Sequence, residues 1–156
     1  MAFDAFLKIE GIEGESTDKS HPNEIEIQSF SWGVSNTFSG PIGGGGGQGK
    51  ASFTDMNFFS LLSKASPTLM LACATGRQFK TALLTCRKAG GDKAVEFLKI
   101  KLTDILVSSF QESGSGGGDF PEDSFSLNFA KIEFLYTNQR TGETTETSFD
   151  VRENKG

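Results

Sequence analysis

Five consecutive glycines, then Gln48, Gly49 and Lys50, form the segment of this 156-residue chain whose spacing comes nearest to a known chemical device. Gly44-Gly45-Gly46-Gly47-Gln48-Gly49-Lys50 fits G-x-x-x-x-G-K, in which backbone N–H groups cradle phosphates and the lysine reaches the outer ones. The device also needs Ser or Thr to hold Mg²⁺, and Ala51 stands there. It needs a parallel βαβ setting, whereas the flanking segments read as hairpin-connected strands. A run of glycines is a floppy cradle, because each loses much backbone entropy on ordering. The segment is therefore read as an extended loop whose backbone lies close against another surface. His21, the single histidine, sits in a polar loop before Pro22 and reads as a surface residue, away from any nucleophile. Cys73 and Cys86 lie in apolar surroundings and read as buried, reduced thiols. Two cysteines and one histidine do not make a structural zinc site, and the single glycine-rich stretch at residues 115–119 cannot build a calcium site. The carboxylates are scattered, with no pair set apart for acid–base work. No catalysis, cofactor or metal is expected.

Composition narrows the partners. The formal net charge is −5, which disfavours nucleic acid, and no Lys/Arg run exists to hold an anionic membrane. Asp4 and Lys8 interrupt the N-terminal apolar stretch, so no signal peptide or spanning helix is expected and the chain starts in the cytoplasm. Fifteen Phe against one Trp and one Tyr read as core, since Phe has no polar tip to satisfy. The length fits one domain over residues 1–156.

Periodicity supplies the elements. Phe3, Ala5, Leu7 and Ile9 alternate with polar residues as a first strand ending at Gly11, and residues 13–22 read as a loop. A strand over 24–37 follows, with Ile25 and Ile27 at odd positions but Phe30, Trp32 and Val34 at even ones. A β-bulge near Gln28-Ser29 is expected to keep both halves facing one core. The opposite face is Ser29, Ser31, Gly33 and Ser35: small, neutral and wettable. It suits a strand that lines a smooth aqueous passage or lies under another surface, and equally a solvent-exposed strand with a serine bias. Thr54 or Asp55 caps an expected short helix through Lys64. Ser66-Pro67 starts another, with Leu69, Met70, Cys73 and Ala74 as its apolar stripe and Gly76 at its end; one helix broken at Pro67 fits equally well. Strands are expected over 79–88, ending in an Ala89-Gly90-Gly91 turn, and over 95–110. Another spans 125–136, with a second phase switch near Ala130-Lys131, and the last runs through Phe149 and Val151. Long strands with mid-strand switches belong to a curled sheet. The expected fold is mainly β, an antiparallel β-barrel of two curled sheets with a flanking α-helix.

The segments strongly resemble the haemolysin-coregulated protein (Hcp) family, tube subunits of bacterial type VI secretion. The matching residues are Lys8-Ile9, Gly14-Glu15-Ser16, Asp18-Lys19, Glu24-Ile25, Ser31-Trp32-Gly33, the glycine loop, Ser66-Pro67, Leu69-Met70, Ala72-Cys73 and Gly76. Arg87-Lys88-Ala89-Gly90-Gly91, Val107-Ser108-Ser109 and Leu127-Asn128-Phe129-Ala130 continue them in the same order. Two departures stand out: the threonine-rich connection at 138–147, and Phe149 where many relatives carry Trp. The resemblance implies subunits that close into a hexameric ring. Such rings stack into a tube, meet a spike protein of the VgrG type, are driven by a contractile sheath, and leave the cell with small effector proteins in the lumen. It implies assembly in the cytoplasm and secretion without a signal peptide. It places Ser31, with Ser29 and Ser35 on the same face, at the cargo-binding lumen wall. It places the loop of Gly43, Gly44, Gly45, Gly46, Gly47, Gln48, Gly49 and Lys50 at ring-to-ring contacts. Ending at Gly156, the chain is expected to carry no fused toxin. A ring of this kind uses two different patches per subunit and hides edge strands. A monomeric β-barrel binding module and a nucleotide-dependent enzyme on Gly44–Lys50 are the competing readings.

Overall fold

A computed structural model of the chain describes residues 2–37, 49–89 and 94–156. The backbone of the fold is one antiparallel sheet of eight strands. Its strands are β1 (Phe3–Ile9), β2 (Ile25–Ile27), β3 (Ser29–Ser31), β6 (Met56–Leu61), β7 (Gln78–Lys88), β8 (Glu96–Ser113), β9 (Glu122–Thr137) and β10 (Thr144–Asp150). A separate two-stranded ribbon joins β4 (Val34–Asn36) to β5 (Ala51–Phe53), and a helix, α1 (Ala65–Thr75), packs on β8. The order across the sheet is β2-β1-β7-β8-β9-β6-β3, with β10 beside β9. β2 and β3 are the two ends of that order, yet only Gln28 separates them in the chain. The sheet therefore curls until its ends nearly meet, and the Gln28 N–H donates to the Phe59 carbonyl across the seam at 2.8 Å.

That seam corrects the expected bulged strand over 24–37. The phase switch is real, with Ile25 and Ile27 buried and Phe30 packed on the same core. Its cause is a change of partner at Gln28, from β1 on one side to β6 on the other. The expected curl devices lie elsewhere. Register shifts occur at Cys86/Arg87 between β7 and β8 and at Val107/Ser109 between β8 and β9. The switch near Ala130 needs no slip: Asp104, opposite it, takes a left-handed conformation (φ 53°). Buried positions on β8 accordingly pass from Ile100 and Leu102 to Ile105 and Val107, as those on β9 pass from Ile132 to Phe129, Leu127 and Phe125.

The expected helix from Thr54 to Lys64 is overturned. β6 is a strand with strict alternation: Met56, Phe58 and Ser60 are buried, while Asn57, Phe59 and Leu61 are exposed. A serine at an inward position and two apolar residues at outward ones hide the period of two. Phe58 stacks on Phe125 with centroids 5.2 Å apart, both fully buried, which stabilises the fold by roughly 1.5–3 kcal/mol per ring. The later helix is confirmed, but it starts at Ala65, and Ser66 is not its cap. Ser66 is buried, and its hydroxyl donates to Asp123 Oδ2 on β9. Leu69 and Ala72 face the sheet, whereas Met70 and Ala74, expected in the apolar stripe, are exposed. Gly76 closes the helix in the left-handed conformation (φ 69°), which favours glycine.

Candidate functional site

Residues paired across antiparallel strands share a face. The registers extend the serine face of β3 across four strands. Ser31 lies opposite Asn57, Asn57 opposite Ser126, and Ser126 opposite Ser109. The next row runs Ser29, Phe59, Ser124 and Gln111. Below Asn57, Asp55 accepts from Asn128 Nδ2 (2.9 Å) and from Ser108 Oγ (2.6 Å), and Ser126 Oγ sits 2.7 and 2.5 Å from the hydroxyls of Ser108 and Ser109. The hydroxyls thus satisfy one another along the sheet. What faces outward over β3, β6, β9 and β8 is a surface of serine, asparagine and glutamine with two carboxylates, Asp55 among the hydroxyls and Glu122 opposite Leu61, and with Phe59 and Leu61 its most exposed apolar side chains. The inner side of the same strands is the phenylalanine core.

Of the serines singled out by spacing, Ser29 and Ser31 lie on this surface and are exposed. Ser35 is exposed too, but it sits on the β4–β5 ribbon opposite Ser52, so the fold does not bring it onto the four-strand face. Gly43, Gly44, Gly45, Gly46, Gly47 and Gln48 lie outside the described residues, as do Gly90 and Gly91. Gly49 and Lys50 are described, and Thr37 bonds the Lys50 carbonyl through both its N–H and its hydroxyl. Beyond Lys50 the chain enters strand β5 rather than the helix a phosphate cradle requires. That Asn57, Ser108, Ser109, Gln111, Ser124 and Ser126 join this face escaped the sequence reading, because nothing in one strand's spacing tells which other strands lie beside it.

A second cluster also escaped it. His21 is buried, contrary to its expected surface position. Its ring stacks on Phe6 (centroids 4.6 Å, 9° between planes), Nδ1 lies 3.0 Å from a Glu24 oxygen, and Nε2 lies 2.6 Å from Glu96 Oε2. Nearby, the buried Arg87 guanidinium engages both oxygens of Asp18, approaches Asp4 at 3.7 Å and stands over the Phe6 ring. Hydrogen bonding from Arg87 holds the Asp18 carboxyl below its usual value. Burial pushes Glu24 up, only partly offset by His21 beside it. Burial would raise Glu96 as well, but hydrogen bonds from His21 and Lys99 outweigh it and hold that carboxyl low. Of the thiols, Cys86 is buried, and burial pushes it up to about 11; Cys73 is half-buried, and both are free. Not every phenylalanine is spent on the core, since Phe3, Phe59 and Phe120 are all more than 40% exposed. Phe3, Leu61 and Phe120 line one open groove of about 660 Å³, which also reaches Arg87 and Asp18.

A curled, nearly closed β-sheet with a face made mainly of hydroxyls and amides describes a β-barrel that presents a surface. Comparison with known proteins sharpens this. A family model described as type VI secretion system effector, Hcp, matches residues 6–136. The chain is 42% identical to protein hcp1 of Pseudomonas aeruginosa, covering 99% of this chain and 98% of that one. It superposes on the crystal structure of Hcp1 from Salmonella typhimurium with a TM-score of 0.85 at 36% identity, covering 99% of each chain. A type VI secretion system effector from Yersinia pestis gives 0.79 at 32% identity, over 95% of this chain and all of that one. The chain belongs to the Hcp family of type VI secretion. It is a structural, secreted component of that system rather than an enzyme. Among the described residues, no helix is long and apolar enough to cross a membrane.

Proposed function

We propose that the chain, as one domain over residues 1–156, is the subunit of the type VI inner tube. Six copies close into a ring whose inner wall is the β3-β6-β9-β8 face. The observation that carries this reading is that face itself. A lumen through which different proteins pass must hydrate well and bind nothing tightly, and mutually bonded serines with few charges supply such a surface. Ser29 and Ser31 then stand on the cargo wall, with Phe59 as an aromatic contact among them; Ser35 takes its place at the wall's rim. The groove at Phe3, Leu61 and Phe120 is one of the two unlike patches that a head-to-tail ring needs, and an obligate contact buries upward of about 2,000 Å².

Residues 43–50 serve stacking, because a glycine-rich backbone permits close approach between rings. The stacked tube carries small effector proteins, bears a VgrG-type spike, is propelled by the sheath, and is assembled in the cytoplasm before export. The reading needs no cofactor, metal, nucleic acid or membrane insertion. Sedimentation of the purified chain at micromolar concentration tests it. Six-subunit particles are expected, and a stable monomer overturns it.

A further inference from the structure

The buried pair of bonds at His21 has a consequence for proton balance. Neutral imidazole has one N–H and one lone pair. Here Nδ1 faces both Glu24 oxygens at 3.0 and 3.1 Å, and Nε2 faces Glu96 Oε2 at 2.6 Å. With both carboxylates ionised, only a ring protonated on both nitrogens donates to both. Removing one proton leaves a lone pair aimed at a carboxylate oxygen. We propose that His21 is a proton-dependent latch: doubly protonated, it bolts loop 10–24 to the start of β8, and on losing a proton it releases β8.

The surroundings favour this arrangement and this order of release. From β1, Phe6 covers the ring face and Lys8 attends Glu24. From β8, Lys99 Nζ stands 3.3 Å from Glu96 Oε1. From β7, Arg87 holds Asp18, whose Oδ2 also accepts the His21 backbone N–H at 3.2 Å. Hydrogen bonds from His21 and Lys99 favour the charged form of Glu96, and at Glu24 the charges of His21 and Lys8 partly offset the burial that raises its carboxyl. Glu24 lies against the ring with 11% of its side chain exposed, whereas Glu96 has 27% exposed and a lysine to turn to. The proton on Nδ1 therefore stays there, donated to Glu24, and the Nε2–Glu96 bond is the one lost. The loop so fixed contributes Glu15, Ser16, Thr17 and Asp18 to the groove at Phe3, Leu61 and Phe120, so the latch sets that groove's shape.

Hydrogen exchange of the Gly14, Ser16 and Asn23 amides, each bonded within the loop and corrected for intrinsic rate, reads the latch directly. From pH 6.0 to 8.5, wild-type protection is expected to fall about tenfold, as for one buried charged hydrogen bond. Glu96→Gln is the decisive variant. Its amide accepts from a protonated Nε2 and donates to a bare one, so protection should stay high at both pH values. His21→Phe keeps the stack on Phe6 but has no donor, so protection should be low at both. Equal wild-type protection at the two pH values overturns the latch. So does a pH-dependent fall that persists in Glu96→Gln or in His21→Phe. The readout lies within one chain and does not depend on ring formation.

Discussion

Two sides of this barrel are built on opposite principles. The β3-β6-β9-β8 face satisfies its polar groups among themselves, hydroxyl to hydroxyl, and turns few charges outward. The edge where loop 10–24 meets β1, β7 and β8 buries charge instead, joining Asp4, Asp18, His21, Glu24, Arg87 and Glu96, with every pair but His21–Glu24 far apart in sequence. If this face lines a lumen, as proposed, it gains from having no preferred partner. An edge that must hold a polar loop against a sheet gains from a few demanding ones, since a buried charge is costly in every arrangement but the right one. The same strands thus carry a permissive surface and an exacting one.

Substitutions that exchange the two principles should have very unequal effects. The largest is expected at the charged edge. Arg87→Ala removes a buried cation from two carboxylates and should lower the melting temperature by roughly 10 °C. A change of only a degree or two would mean the edge is not held by charge. Acid should act next. Asp18 and Glu96 have folded-state values below their unfolded ones, so their contribution is full above the ordinary carboxylate values and is lost as pH falls through the folded ones. Glu24, raised by burial, works in the opposite sense, favouring the fold at low pH and losing that contribution as pH rises. Denaturant midpoints should therefore fall below about pH 4, and the fall should be shallower in Asp18→Asn.

On the permissive side the fold should hardly respond. Replacing several glycines of residues 43–47 by Ala should impair stacking of rings more than their formation, as seen by electron microscopy. Ser31→Gln should leave stability within about 0.5 kcal/mol of wild type while reducing co-purified cargo, because it crowds the wall. Undiminished cargo would remove Ser31 from that wall.

The difference between the two sides also explains what the sequence discloses. A surface made of one residue type at a period of two is legible within a single strand, which is why Ser29 and Ser31 stand out unaided. Its continuation through Asn57, Ser124 and Ser126 is not, because it depends on which strands become neighbours. β6 misleads because Phe59 and Leu61 point outward while Ser60 is buried, so the hydrophobic pattern imitates a helix. The charged edge is the least legible. His21 and Glu96 are 75 positions apart, as Arg87 and Asp18 are 69, and no local spacing announces either pair. The seam at Gln28 shows an intermediate case. Its phase switch is written in Ile27 and Phe30, but whether a bulge or a change of partner answers it depends on curvature of the whole sheet.

The central claim is that like subunits enclose a channel and turn their plainest side toward it. Electron cryomicroscopy of the purified chain tests both halves in one map: sixfold rings with Ser29, Ser31 and Asn57 bordering the central opening are expected. Single barrels, or rings in which those residues form the outer circumference, would contradict the account.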